Sequence, residues 1–483
     1  MNRLNMRYGL FAALLFMMTV ILGISLVTPS QVYAQFEEPT ATPTDPVWLA
    51  FNAARDAITE SEGVNLNLVL RWDFWQDDWS LPNAAHPEKA AGIDSCVSTI
   101  GIAQGRPVYF GWTFVIRSMR AVDYEARVSF DLKDVAVCDI MTEVSATSAP
   151  ADTAANPDLP APVAGAAANG AFEIGGHVLG LTGAAQNAMN TAGMRWVKYQ
   201  LPTSAGVPKG YELIESTHAA GFKVLISVVG NQEELAADPA TYAQNYATFV
   251  RALAEANADA IEIWNEPNID REWPSGQISG ANYTALLAVA YNAIKGVNPS
   301  TLVISGAPTP TGFFGAAGCT AAGCNDDVFL RQMVAAGAGN YADCIGMHYN
   351  EGVLPPTAFS GDPRGEFPTY YLDANTNRAT AAFPGKQVCY TELGYLSGEG
   401  MGSAIPAAYN WSPNDPVTVA EQASYLAGAA SRLAQRGDIR LMIVWNVNFE
   451  SWDPDPMGGY AIIRPGGSCP ACSALGTVMS SGG

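Results

Sequence analysis

Basic side chains are few: 25 Lys and Arg stand against 46 Asp and Glu in 483 residues, a net charge of −21. So acidic a chain repels phosphate backbones and anionic membranes alike, which excludes nucleic acid as an expected partner. Histidine is scarcer still, with four, and His86, His177 and His218 show no metal-ligand spacing, so no metal is implied. The eight cysteines lack the second C-x2-C that a zinc site would need beside Cys469 and Cys472. Long apolar runs are also missing after the first 27 residues, so no later segment is expected to span a bilayer.

The one long apolar run, 9–27, follows Arg3 and Arg7 and precedes Val32, Tyr33 and Ala34, a pattern that signal peptidase cuts. Residues 1–34 are therefore predicted to be a signal peptide and the protein to be secreted; left uncleaved, the run would anchor it in a membrane. Export makes the cysteines readable as disulfides. Cys96 is expected to pair with Cys138 and Cys344 with Cys389, while Cys319 and Cys324 share one loop and Cys469 and Cys472 lie near the end.

Residues 145–170 are almost entirely Ala, Pro, Ser, Thr, Asn, Asp and Gly, with little to bury, and read as a flexible linker. Ahead of it, 35–144 reads as a small α+β module, a helix on an antiparallel sheet. Asp45 caps a helix over 46–59; Leu66, Leu68, Leu70, Trp72 and Phe74 then share one strand face, and Tyr124, Ala126, Val128, Phe130 and Leu132 another. Its Trp75, Trp79 and Trp112 are more simply core than sugar-binding.

After the linker, eight apolar strands are predicted at 174–180, 195–200, 223–229, 260–264, 302–305, 344–348, 387–391 and 440–446. Helical patterns such as 210–220, 239–256, 282–297, 328–336 and 419–435 separate them. Eight β/α units over 171–483 predict a closed (β/α)8 barrel. Helix-to-strand links are short. Strand-to-helix links are long and carry Trp273, Phe313, Phe314, Phe359, Tyr370, Tyr371, Tyr395, Trp411 and Trp452, on the face where barrel active sites form.

Two of these strands end in a glutamate. Trp264, Asn265, Glu266, Pro267 and Asn268 close the apolar run 258–263, and Thr391, Glu392, Leu393 and Gly394 close the strand that begins at Gln387. Alternation puts Glu262, Trp264 and Glu266 on one face, with Asn265 opposite unless the strand end twists. A carboxyl at the tip of each of two buried strands suits hydrolysis of a glycosidic bond, which needs one as proton donor and one as nucleophile or base.

Those residues resemble the signature of clan A glycoside hydrolases, which include the family 5 cellulase-type and family 39 xylosidase-type enzymes. Residues 193–199, Gly346 to Tyr349, Trp445 and the 458–475 tail agree. The resemblance implies Glu266 as acid/base, Glu392 as nucleophile and retention at β-linked sugars. It further implies Asn265 on the sugar 2-hydroxyl, His348 or Tyr349 holding Glu392, and Trp445 flooring the subsite, often through a non-proline cis peptide. Where the clan has arginine on the second strand, this chain has Lys198, so either Lys198 or Arg195 must hold Glu392. Trp273 is a further candidate for sugar contact, and Glu262 is expected to be the buried partner of a basic residue. The Glu392 charge is expected to raise the pKa of Glu266. No cofactor is called for, the partner is an oligo- or polysaccharide, and a monomer is expected; the competing expectation is an inactive carbohydrate-binding or cell-surface barrel.

Overall fold

The computed structural model describes residues 46–66, 69–78, 110–118, 122–141, 159–165, 170–311, 314, 318–365 and 368–480. The predicted signal peptide and Cys96, with its pairing to Cys138, lie outside them.

A 17-residue helix, Pro46–Glu62, opens the described chain and buries Val47, Ala50, Phe51, Ala54 and Ile58, a stripe at helical spacing. The stripe packs on a four-stranded antiparallel sheet in the order β1 (Val69–Asp78), β2 (Phe110–Ser118), β3 (Asp123–Ser129) and β4 (Val135–Met141). Trp112 belongs to that core at 6% exposure. Phe130 does not follow its predicted face: the strand ends at Ser129 and Phe130, in the turn, is exposed.

The rest is a closed parallel barrel of β5 (Glu173–His177), β6 (Trp196–Pro202), β7 (Lys223–Val229), β8 (Ala260–Ile263), β9 (Leu302–Ser305), β12 (Cys344–Tyr349), β13 (Gln387–Leu393) and β14 (Ile439–Val444). Closure comes from β14 against β5, where Met442 faces Ile174. A two-residue hairpin, β10 (Cys319–Thr320) and β11 (Gly323–Cys324), stands in the loop after β9. At least one helix follows each barrel strand, among them Pro239–Glu255, Gly280–Lys295 and Val419–Ala434, so the predicted (β/α)8 barrel is the fold.

Strand alternation sorts the barrel's side chains. Trp196, Leu225, Ala260, Leu302, Ile304, Leu441 and Ile443 fill the lower interior, while their neighbours Val197, Ile226, Ile261, Val303 and Met442 face the helices. Cys344 and Cys389 sit in the same interior cluster and are joined as expected, with Cα atoms 5.9 Å apart. Cys319–Cys324 and Cys469–Cys472 are disulfides as well. Gly346 is required where β12 meets β9, because a Cβ there would lie 2.0 Å from the Ser305 carbonyl oxygen.

The module touches the barrel through Phe359, whose ring lies 5.6 Å from Trp48 and 6.0 Å from Trp72. Beside this contact a cavity of about 740 Å³ is lined by Trp72, Phe74, Phe359, Asp373, Arg432 and Arg436, among others. Part of the predicted linker also lies against the barrel: Val163 N–H donates to Asn292 Oδ1 and Tyr341 Oη to the Pro160 carbonyl.

Candidate active site

Lys198, on β6, points into the barrel as alternation requires and is fully buried. Its ammonium donates to Glu392 Oε1 at 3.0 Å and lies 3.3 Å from Glu262 Oε2. One cation thus neutralises two buried carboxylates, and Lys198, not the exposed Arg195, holds Glu392. Glu262 is the expected buried partner; it also accepts from Thr391 Oγ1 at 2.7 Å.

Glu392 reaches the interior by an irregularity. Cys389 and Thr391 already point inward, so strict alternation would turn Glu392 out toward the helices. The register slips instead: Met347 pairs with Tyr390 but His348 pairs with Glu392, which leaves Thr391 over. This bulge re-aims the carboxylate into the mouth. There Asn350 Nδ2 donates to Oε2 at 3.0 Å, and His177 Nδ1 stands 3.7 Å from Oε1.

Glu266 arrives by a different device. β8 ends at Ile263, and Trp264 and Glu266 adopt φ of +72° and +41°, a region unfavourable for residues with a Cβ. The turn sends Trp264 outward among Tyr242, Tyr246 and Trp273, so it does not share a face with Glu262 as alternation alone predicts. Glu266 is brought over the barrel mouth, 5% exposed. Backbone strain of this kind costs on the order of 1–3 kcal/mol per residue and is characteristic of functional sites.

His348 bridges the pair. Its Nδ1 is 3.0 Å from Glu266 Oε1 and 3.7 Å from Glu392 Oε2. The two carboxylate oxygens are therefore separated by at most the sum of those distances, about 6.7 Å. Tyr349, the next residue on the strand, must point the other way; it packs outward against Tyr395 and donates to the Tyr370 carbonyl, so it does not hold Glu392. Trp445 follows β14 at the mouth, its ring 4.8 Å from His177, and its peptide to Asn446 is cis, as the resemblance implies. Asn265 is buried, with no partner at Oδ1 among the described residues, and its side chain bonds Glu272. Trp273 is a correction: at 2% exposure, between Trp264 and Tyr283, it has no open face for a sugar ring.

The charges follow from this packing. Burial pushes the Glu392 carboxyl up, but His348, Lys198 and His177 outweigh it and hold the group well below the usual carboxylate range. Glu266 also departs from expectation. Burial and Glu392 raise it, yet His348 and Arg271 hold it below its ordinary value. The expectation from Glu392 alone omitted these two cations, of which Arg271 forms an ion pair with Glu266 Oε2. Burial depresses His177 to about 4, against the pull of Glu392, so it is neutral at ordinary pH. Burial likewise opposes charge on His348, but Glu392 and Glu266 raise it. Glu272 is pushed up to about 7 by burial and by Glu266.

Four of these groups were not singled out from the sequence. Inward parity could have found His177, two residues beyond Gly175, and Asn350, two beyond His348. Arg271 and Glu272 lie in an irregular loop and carry no periodic signal.

No family model and no curated protein matches this chain. Among solved structures it is similar to a broad-specificity endoglucanase of family 5 from Clostridium longisporum, at 13% identity over 63% of this chain and 88% of that one, TM-score 0.42. The catalytic domain of a Thermobifida fusca endoglucanase gives 15%, 64%, 92% and 0.41; an endo-1,4-β-mannanase from Rhizomucor miehei gives 14%, 64%, 95% and 0.40. At such values the likeness carries no functional argument. The chemistry of the site has to be read from its own strand register, distances and charges.

Proposed function

We propose that the barrel is a retaining glycoside hydrolase acting on β-linked sugars. The observation that carries this reading is the pair Glu266 and Glu392, buried at the mouth from β8 and β13 and bridged by His348 Nδ1. The Glu266 Oε1 to Glu392 Oε2 separation of at most about 6.7 Å accommodates the roughly 5–5.5 Å between carboxyl groups that retention uses.

Glu392, kept ionised, attacks the anomeric carbon while Glu266 gives its proton to the departing glycosidic oxygen. A glycosyl ester on Glu392 results. Glu266, now anionic, takes a proton from water; the water oxygen attacks the same carbon and Glu392 leaves. Asn265 Oδ1 accepts from a sugar hydroxyl, and Trp445 floors the sugar. Secretion through residues 1–34 belongs to the same proposal.

The test is a panel of aryl β-glycosides and β-glycans, with the anomeric form of the first product followed by NMR. A β product that later mutarotates is expected. Glu392→Gly should lose turnover and regain it with azide on an activated aryl glycoside. Glu266→Ala should harm poor leaving groups far more than good ones. Wild-type activity in Glu392→Gly would refute the assignment, and no activity on any substrate would favour the inactive sugar-binding barrel.

A further inference from the structure

A proton donor must carry its proton when the bond breaks, yet each oxygen of Glu266 faces a basic group. His348 meets Oε1 and Arg271 meets Oε2. His348 is fully buried and fixed between two carboxylates. Arg271 is different: its side chain is 60% exposed, on the loop five residues beyond Glu266, with its carbonyl pinned by Gln232. It is free to move its guanidinium without moving its backbone.

The other groups facing Arg271 are Glu272, 3.8 Å from its Nε, and Tyr409; Asp455 stands in the same field. Glu272, pushed up to about 7 by burial, is largely neutral below that pH, and burial raises Asp455 too. The partner that Arg271 holds most firmly is the carboxylate that catalysis needs released. A neutral sugar hydroxyl has too little to offer a guanidinium to break such a pair. A second carboxylate has enough, since it matches the planar donor fork in charge and shape. Position adds the direction: the proton donor faces the leaving group, so Arg271 beside it lies on the leaving-group side, away from the sugar transferred to Glu392.

We propose that Arg271 recognises a carboxylate on the leaving-group side of the substrate, and that its handover from Glu266 to that carboxylate lets Glu266 take up a proton from solvent. This rests on the retaining-glycosidase reading. An acidic saccharide or an acid-bearing aglycone is then the preferred substrate.

The full-length protein can be tested with two aryl β-glycosides of one active sugar, matched in leaving-group acidity, one with a ring carboxylate and one without. The wild type should show roughly tenfold higher kcat/KM on the carboxylated compound, the scale of one charge-assisted pair. Arg271→Gln should erase that preference and shift the upper pH limb on the neutral compound upward, because Glu266 has lost a cation; Arg271→Lys should keep part of the preference. No preference in the wild type, or one that survives in Arg271→Gln, overturns the proposal. A wild type that cleaves neither compound, nor any other glycoside, overturns the glycosidase reading and this proposal with it.

Discussion

Lys198 shows how much one residue carries. It is the ammonium between Glu262 and Glu392, with both carboxylates and the lysine buried. Lys198→Met should cost on the order of 3–5 kcal/mol in denaturant unfolding, because two buried carboxylates lose their counter-ion. It should also raise the acid limb of kcat/KM, since Glu392 loses a cation that keeps it ionised. A purely structural lysine would change stability and leave that limb in place. The two site histidines set opposite pH slopes. His177, depressed to about 4, stays neutral in the fold while the unfolded chain protonates below about 6.5, so stability falls as pH drops between those values, by roughly 3 kcal/mol. His348 is raised, so its contribution is present below about 6.5 and is lost as pH climbs through its folded value. His177→Phe should therefore reduce the loss of melting temperature between pH 6.5 and 4 relative to the wild type, which thermal melts against pH would show.

At the scale of elements, strand alternation was legible and its exceptions were not. The eight strands were placed from apolar runs, two of them, Lys223–Val229 and Leu302–Ser305, to the residue and the others with one or both ends shifted by one to three residues. The Thr391 bulge and the positive φ at Trp264 and Glu266 were not, because both arise where a strand end meets its neighbours. These exceptions are what aim the two carboxylates. Inside the same strands, the Cys344–Cys389 bond ties β12 to β13 below His348 and Glu392. Closing a loop of 45 residues, it should contribute on the order of 3–4 kcal/mol. Cys344→Ser with Cys389→Ser should lower the denaturation midpoint accordingly, and retention of most of kcat would show that the carboxylates are aimed by the bulge and not by the bond.

For the whole molecule, the expected division into module, linker and barrel remains a matter for truncation, and the structure sharpens where to cut. The 159–165 stretch adds backbone hydrogen bonds to Asn292 and Tyr341, each worth about 1 kcal/mol net. A fragment of 171–483 is expected to fold and cleave aryl glycosides, and one of 159–483 to melt several degrees higher; equal melting temperatures would make those bonds irrelevant. An insoluble 171–483 would place the module, through Trp48, Trp72 and Phe359, within the catalytic unit. The sequence by itself determined the barrel, the two strand-end glutamates and the Cys344–Cys389 pairing, because period, strand order and chemistry are local and repeat along the chain. Only the tertiary structure decided that Lys198 serves Glu262 and Glu392, that His348 bridges Glu266 and Glu392, that Trp273 is buried and that Arg271 pairs with Glu266. Each of those depends on which side chains separate strands and loops bring within a few ångströms, and no spacing along the chain encodes that distance.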